Sequence, residues 1–209
     1  MHVPDPQFDI RSEADWLKLF DAPSDVSLAK EIDHVDANYG AWIAASPFFV
    51  MCTSGPDGLD ASPRGDTPGF VEVADPRTLL IPDRRGNNRL DSLRNLVVDP
   101  RIALLFLIPG LGETLRVNGR ARLSTDPATR ARFEFQGKTP KVVLVVSVEA
   151  VYFQCSRAVV RADLWNAAKH VARESLPTAG QILNEVSSGG VDGDKYEREL
   201  PERVKATLY

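Results

Sequence analysis

Residues 81–93 read IPDRRGNNRLDSL and gather three arginines and two asparagines between an apolar run and a helix-like run. Arg84, Arg85 and Arg89 supply planar donor forks, Asn87 and Asn88 can donate from their amides, and Gly86 lets the backbone approach a ligand closely. A helix starting near Asn88 or Arg89 would add unsatisfied N–H groups and the positive end of its dipole to the same place. That donor set suits a phosphate, although a solvated polar loop leading into a helix cap has the same composition. Arg64 follows a second strand-like run in ASPRGD, and Arg157 and Arg161 stand in QCSRAVVRADLW, one helical turn apart or along one strand face. Taken singly, each of these is most simply an exposed or salt-bridged arginine.

Other chemistries lack their patterns. IPGLGETL offers Gly110 and Gly112 but Leu115 where a dinucleotide fingerprint needs its third glycine, and a strand-like run follows where a helix is required. There is no phosphate loop of the Walker type and no strained serine elbow. No pair of carboxylates is set apart by its surroundings, so no acid/base dyad is named. His2, His34 and His170 are scattered and bear no ligand-like spacing to the cysteines, so no metal is expected.

The elements that position these residues follow from composition and period. With 209 residues, 43% hydrophobic and 26% charged, the chain has the balance of one globular domain with appendages. Its formal net charge of −4 gives no general attraction to nucleic acid or to an anionic membrane, so any anion site must be local. Cys52 and Cys155 are too few and too far apart for a disulfide framework, which points to a reducing compartment. The opening MHVPDPQFDIRSEADW has no basic region before an apolar core, and no later stretch is long enough to span a membrane; a cytoplasmic protein is expected.

A Ser12 to Asp15 capping pattern opens SEADWLKLF, and Leu28, Ile32, Val35, Tyr39 and Trp42 then fall at helical spacing up to Pro47. These aromatics read as core or partner contacts. Short apolar or alternating runs follow: FFVMCTS, LDASPRG, FVEVA, TLLIP, RIALLFLIP, TLRVNGRARL and KVVLVVSVEAVYFQC read as strands, with helices over RLDSLRNLVV and PATRARFEF. Many strands with few crossover helices predict an antiparallel barrel or sandwich. Beyond Trp165 the chain predicts one helix, LWNAAKHVARESL, and then a mobile loop or partly ordered end around SSGGVDGD.

The order ASPRGDTPGF, LLIPDRRGNNRLDSLRNL, RIALLFLIPG, ETLRVNGRARL, QCSRAVVRADLW resembles the pyridoxamine 5'-phosphate oxidase-like family of FMN-binding split barrels. The resemblance spans roughly residues 35 to 166. It implies a mainly β fold with flanking helices: a six-stranded antiparallel split β-barrel, homodimeric, with FMN in clefts between the subunits. The implied organisation is an N-terminal helical extension over 1–34, the FMN-binding domain over 35–166 and a C-terminal helical or loop extension over 167–209.

Carried over by position, Pro82 and Asp83 match a stretch whose backbone borders the isoalloxazine ring. Asn88 and Arg89 match the pair that reaches the ribityl phosphate, with Asn87 beside them. Arg64 matches a cation near the ring and substrate, Thr114 falls where a glutamine usually contacts the flavin, and Arg161 resembles a late arginine at the flavin. Arg157 resembles a substrate-holding arginine, and Trp165 could wall the same cleft.

The resemblance has gaps. The oxidase that makes pyridoxal phosphate carries a histidine beside its substrate arginine, where SRAVVRADLW has Ala158, Val159 and Val160, and its lysine and tyrosine substrate contacts are not evident. The implied function is therefore an FMN-dependent oxidoreductase acting on a small organic molecule, with NADH or NADPH as a possible electron donor, and with poor turnover of pyridoxamine 5'-phosphate. Two alternatives are a flavin-binding or sensing protein without turnover and a haem-binding or haem-degrading relative. The scarcity of histidine counts against the last.

Overall fold

A computed structural model describes residue 3 and residues 5–209; His2 lies outside the described residues. The chain divides into two units, Met1–Glu31 and Ile32–Tyr209. In the first, helix α1 (Glu13–Leu17) is capped as its sequence predicts, the Ser12 hydroxyl accepting from the Asp15 N–H at 3.2 Å. Helix α2 (Asp25–Ala29) starts at a second serine cap, Ser24.

The helical spacing of Leu28, Ile32, Val35, Tyr39 and Trp42 does not make one helix, because α2 ends at Ala29 and α3 (Ala37–Ala45) begins only after Asp36. Between them Ile32 exchanges backbone hydrogen bonds with Val151, Val35 donates to the Pro76 carbonyl, and the Asp36 carboxylate takes the Tyr39 N–H at 2.8 Å. These bonds satisfy the backbone in an extended course that a helix would forfeit.

Seven strands follow, all antiparallel, in the order β2-β1-β5-β6-β7-β4-β3. They are β1 (Phe48–Gly55), β2 (Gly58–Gly65), β3 (Glu72–Asp75), β4 (Thr78–Pro82), β5 (Arg101–Leu107), β6 (Thr114–Ser124) and β7 (Val143–Gln154). The six strands implied by the resemblance are thus seven. Among the described residues no hydrogen-bonded ladder joins the edge strands β2 and β3, so the barrel is split rather than closed. Alternation sets which side chains go inward: Phe49 and Met51 on β1, Ile102, Leu104 and Phe106 on β5, and Leu115 and Val117 on β6 are all buried in one core. Helix α4 (Asp91–Val98) adds Leu93 and Leu96 to it, and α3 adds Ile43.

One irregularity keeps β7 in that core over its 12 residues. The register against β6 shifts between Asn118 and Gly119, so that Asn118 faces Ala150 while Gly119 faces Val148. This bulge changes the parity of the inward residues from Leu144, Val146 and Val148 to Val151. Glycine is required at the shift, because a Cβ at residue 119 would lie 2.1 Å from the Ser147 carbonyl oxygen. Strand β4 is buried on both faces: Leu79 and Ile81 join the main core, and Leu80 packs with Phe133 and Val143 in a second cluster. Its uninterrupted apolar run, TLLIP, has this cause.

The remaining helices depart from expectation. Helix α5 (Pro127–Ala131) stops short of the FEF in PATRARFEF, because Phe133 leaves the helix to cover β4. Helix α6 (Arg157–Ala162) is ended by Asp163 in the left-handed conformation, and LWNAAKHVARESL yields only two 3-10 turns, Ala167–Lys169 and Arg173–Ser175. The region expected to be loose is a helical hairpin, α7 (Ala179–Val186) and α8 (Gly193–Thr207), with SSGGVD as its turn and Asp192 as the cap of α8. Gly180 and Gly193 meet where the helices cross, and a Cβ on either would come within 2.3 Å of the other's carbonyl oxygen. A complete capping box opens α7, formed by Thr178 and Gln181. Thr178→Ala is expected to destabilise α7 by about 1 kcal/mol, seen as faster amide exchange over Ala179–Val186. Among the described residues no helix is long and apolar enough to cross a membrane.

Candidate functional site

Strand β4 ends at Pro82, and the Asp83 N–H donates to the Val142 carbonyl at 3.0 Å, which fixes where the loop to α4 begins. The loop then passes through two left-handed residues, Asn88 with φ 64° and Leu90 with φ 62°. Leu90 is the residue before α4 and makes no side-chain cap, so the first N–H groups of α4 take no hydrogen bond from it. Left-handed non-glycine residues carry strain of about 1–3 kcal/mol each, which local function often retains. The Asn87 carboxamide oxygen takes the Arg89 N–H at 3.0 Å and tightens the turn. The helix start predicted near Asn88 or Arg89 falls at Asp91.

This loop forms one wall of a cavity of about 660 Å³. That lies inside the range of roughly 300–1,000 Å³ common for small-molecule sites. Eight of the residues singled out from the sequence line it together: Arg64, Asp83 and the run Arg84, Arg85, Gly86, Asn87, Asn88 and Arg89. Pro82 is buried immediately beside it at the end of β4.

Thr114, Arg157, Arg161 and Trp165 do not line it. Thr114 begins β6 opposite Gln154, at the far end of β7 from the Val143 that pairs with Pro82. Arg157 and Arg161 are exposed on α6, and the Trp165 indole donates to the Leu111 carbonyl at 2.6 Å.

Side chains that sequence reasoning did not select complete the cavity. Asp60, Ser62 and Arg64 alternate along β2 and face inward together. Ser92, buried at the start of α4, donates to Asp60, shares a 2.8 Å hydrogen bond with Ser62, and accepts from Arg64 at 3.5 Å. The period-two spacing in DASPR was the available signal. Lys138, Lys141 and Tyr209 also line the cavity, and no sequence signal ties them to the loop.

Arg84 departs from its expected part as a ligand donor. Its Nε donates to Asp66 at 2.6 Å and its Nη1 to the Phe133 carbonyl at 2.7 Å. The Asp66 side chain is 1% exposed and that of Arg84 18%, so this pair is a buried structural tie. Burial alone would raise the Asp66 carboxyl, but hydrogen bonds from the Thr67 N–H, the Tyr209 hydroxyl and Arg84 outweigh it and hold it below its ordinary value. Asp83 goes the other way: burial raises its carboxyl, and the charge of Arg64 only partly opposes the rise.

Apart from Arg84, which Asp66 neutralises, five cationic side chains line the cavity against three carboxylates, in a chain whose net charge is −4. The balance is a local attraction for an anion. Planar guanidinium forks and amide donors at an uncapped helix start are the groups that hold a phosphate.

No curated protein matches the chain. Among solved structures, the chain is similar to HupZ of Group A Streptococcus, 16% identical with a TM-score of 0.48 over 58% of this chain and 95% of that one. It is similar to general stress protein 26 from Bacillus anthracis str. Sterne, 13% identical with a TM-score of 0.42 over 54% of this chain and 88% of the other. It is also similar to an FMN-binding protein from Syntrophomonas wolfei subsp. wolfei, 15% identical with a TM-score of 0.40 over 54% and 80% of the two chains. Residues 35–155, more than half of the chain, match the family described as pyridoxamine 5'-phosphate oxidase, and the chain belongs to that family.

Proposed function

We propose that the chain is an FMN-binding flavoprotein that exchanges two electrons with a small organic substrate in the cytoplasm. The observation that carries this reading is the cationic cavity at the loop between β4 and α4 of an acidic chain. FMN suits the donor set, since one phosphate dianion matches the cluster of Asn87, Asn88 and Arg89 at the α4 start. The main chain at Pro82 and Asp83 would border the ring, and Arg64 would stand at its edge. FMN, when bound, supplies the redox chemistry. Arg64, held through Ser92, would offset the negative charge that the ring gains on reduction, and would do so without reorganising.

The proposed site needs a second copy of the chain. Thr114, Arg157, Arg161 and Trp165 lie outside the cavity of their own protomer. Their assignment to the same cofactor is consistent with a homodimer in which one protomer supplies the loop and its partner supplies α6 and the start of β6. Arg157 and Trp165 would then face the substrate.

Purified protein mixed with FMN should retain it through gel filtration as a dimer by light scattering, and NADH or NADPH should bleach the visible flavin band. Protein that takes up no FMN would overturn the reading, and FMN binding without reduction or reoxidation by any donor or acceptor would leave binding without turnover. Because Ala158, Val159 and Val160 stand where the oxidase has its histidine, pyridoxamine 5'-phosphate should be oxidised with a kcat well under about 1 per second, read as pyridoxal phosphate and hydrogen peroxide.

A further inference from the structure

We infer that Tyr209 is a positioning residue of the cavity and that α7 and α8 are built to deliver it there. Tyr209, two residues beyond α8, lines the cavity together with the residues of the Asp83–Leu90 loop. Its hydroxyl donates to Asp66 Oδ1 at 2.8 Å, while Arg84 holds Oδ2 of the same carboxylate at 2.6 Å. Its ring lies 4.5 Å from that of Phe135, and the Arg84 guanidinium stands 5.9 Å from both ring centroids. Its main-chain oxygen accepts from Lys138 at 2.6 Å.

Three loops therefore meet on this one residue: the one after β2 through Asp66, the one after β4 through Arg84, and the turn before β7 through Phe135 and Lys138. Arg84 directly precedes the donor run Arg85–Arg89, so a guanidinium fixed on two sides sets the start of a loop that otherwise carries exposed side chains. The consequence is pre-organisation. The loop does not have to be ordered by its ligand, which raises affinity without adding a contact.

The inference rests on the FMN reading for its functional half and on the protein alone for its structural half, and its test separates them. In ligand-free protein, Tyr209→Ala should speed amide exchange over residues 83–90 by more than about tenfold, the loss of one hydrogen bond to a charged group together with the ring contact to Phe135. Tyr209→Phe keeps the ring against Phe135 and should fall between the two.

In FMN titrations followed by flavin fluorescence, Tyr209→Phe should weaken binding severalfold. The double variant Tyr209→Phe, Asp66→Ala should be no weaker than Asp66→Ala alone, because Tyr209 acts through that carboxylate. Unchanged exchange over residues 83–90 in Tyr209→Ala overturns the inference. So does faster exchange with an unchanged FMN affinity, or strictly additive effects in the double variant. If the wild type binds no FMN, the cofactor reading fails while the exchange result still decides whether Tyr209 positions the loop.

Discussion

Arg89→Ala is expected to weaken FMN binding by about 10- to 100-fold, the loss of a charge-assisted hydrogen bond of about 1.5–3 kcal/mol. The side chain suits that role because it is 80% exposed and does nothing for the core. Its present partner is Asp91, and an exposed pair of this kind contributes little to stability. Without FMN the variant should therefore unfold at the wild-type temperature, and it should fail to retain the flavin when FMN is added, a split that a packing residue would not give. Arg89→Lys should fall between the two, since it keeps the charge and loses the fork. The difference between wild type and Arg89→Ala should shrink as salt is raised, because the contact is exposed to screening. Unchanged FMN affinity in Arg89→Ala, measured by fluorescence quenching, would remove the phosphate from this loop and with it the placement of the cofactor.

The strands were legible because most are alternating runs bounded by turn residues, and the apolar run of β4 departs from alternation because Phe133 covers its second face. What the pattern could not carry was the shift opposite Gly119, where a single extra residue reverses the parity of β7. Local spacing likewise misled at Leu28 to Trp42, since helical period survives in a chain whose backbone finds better partners on β7 and at Pro76. The hairpin of α7 and α8 was hidden by its own turn: SSGGVD reads as loop, while the helices on either side are made by the Thr178 box and the Asp192 cap.

The site divides along the same line. The arginines and asparagines of residues 84–89 and Arg64 were visible as donor types, and Pro82 and Asp83 only through the resemblance; the structure brings Arg64, Asp83, Asn87, Asn88 and Arg89 to one cavity. Asp60, Ser62 and Ser92 were missed because each is an ordinary polar residue until β2 and α4 are placed side by side. Tyr209 was beyond reach, being separated by 143 residues from the carboxylate it binds. Arg84 shows the reverse error, since arginines next to one another in sequence need not play the same part. This one is held by Asp66, and its neighbours stay exposed.

Asp66→Ala tests that division most severely and should lower stability by about 3 kcal/mol. Breaking a buried ion pair by removing one partner leaves the other charge uncompensated, at a cost of about 3–5 kcal/mol. The low end applies because 18% of the Arg84 side chain still meets solvent and its bond to the Phe133 carbonyl survives. The pH dependence follows from the direction of the Asp66 shift. Its carboxyl is held below its ordinary value in the folded state, so its contribution is complete above the unfolded value, about 3.9, and is lost as pH falls through the folded one. Urea unfolding should accordingly show the widest gap between wild type and variant near neutral pH, closing as the pH drops below about 4. A gap that stayed constant across that range would mean that Asp66 acts by packing alone. A variant as stable as wild type at pH 7 would mean that Arg84 needs no partner there.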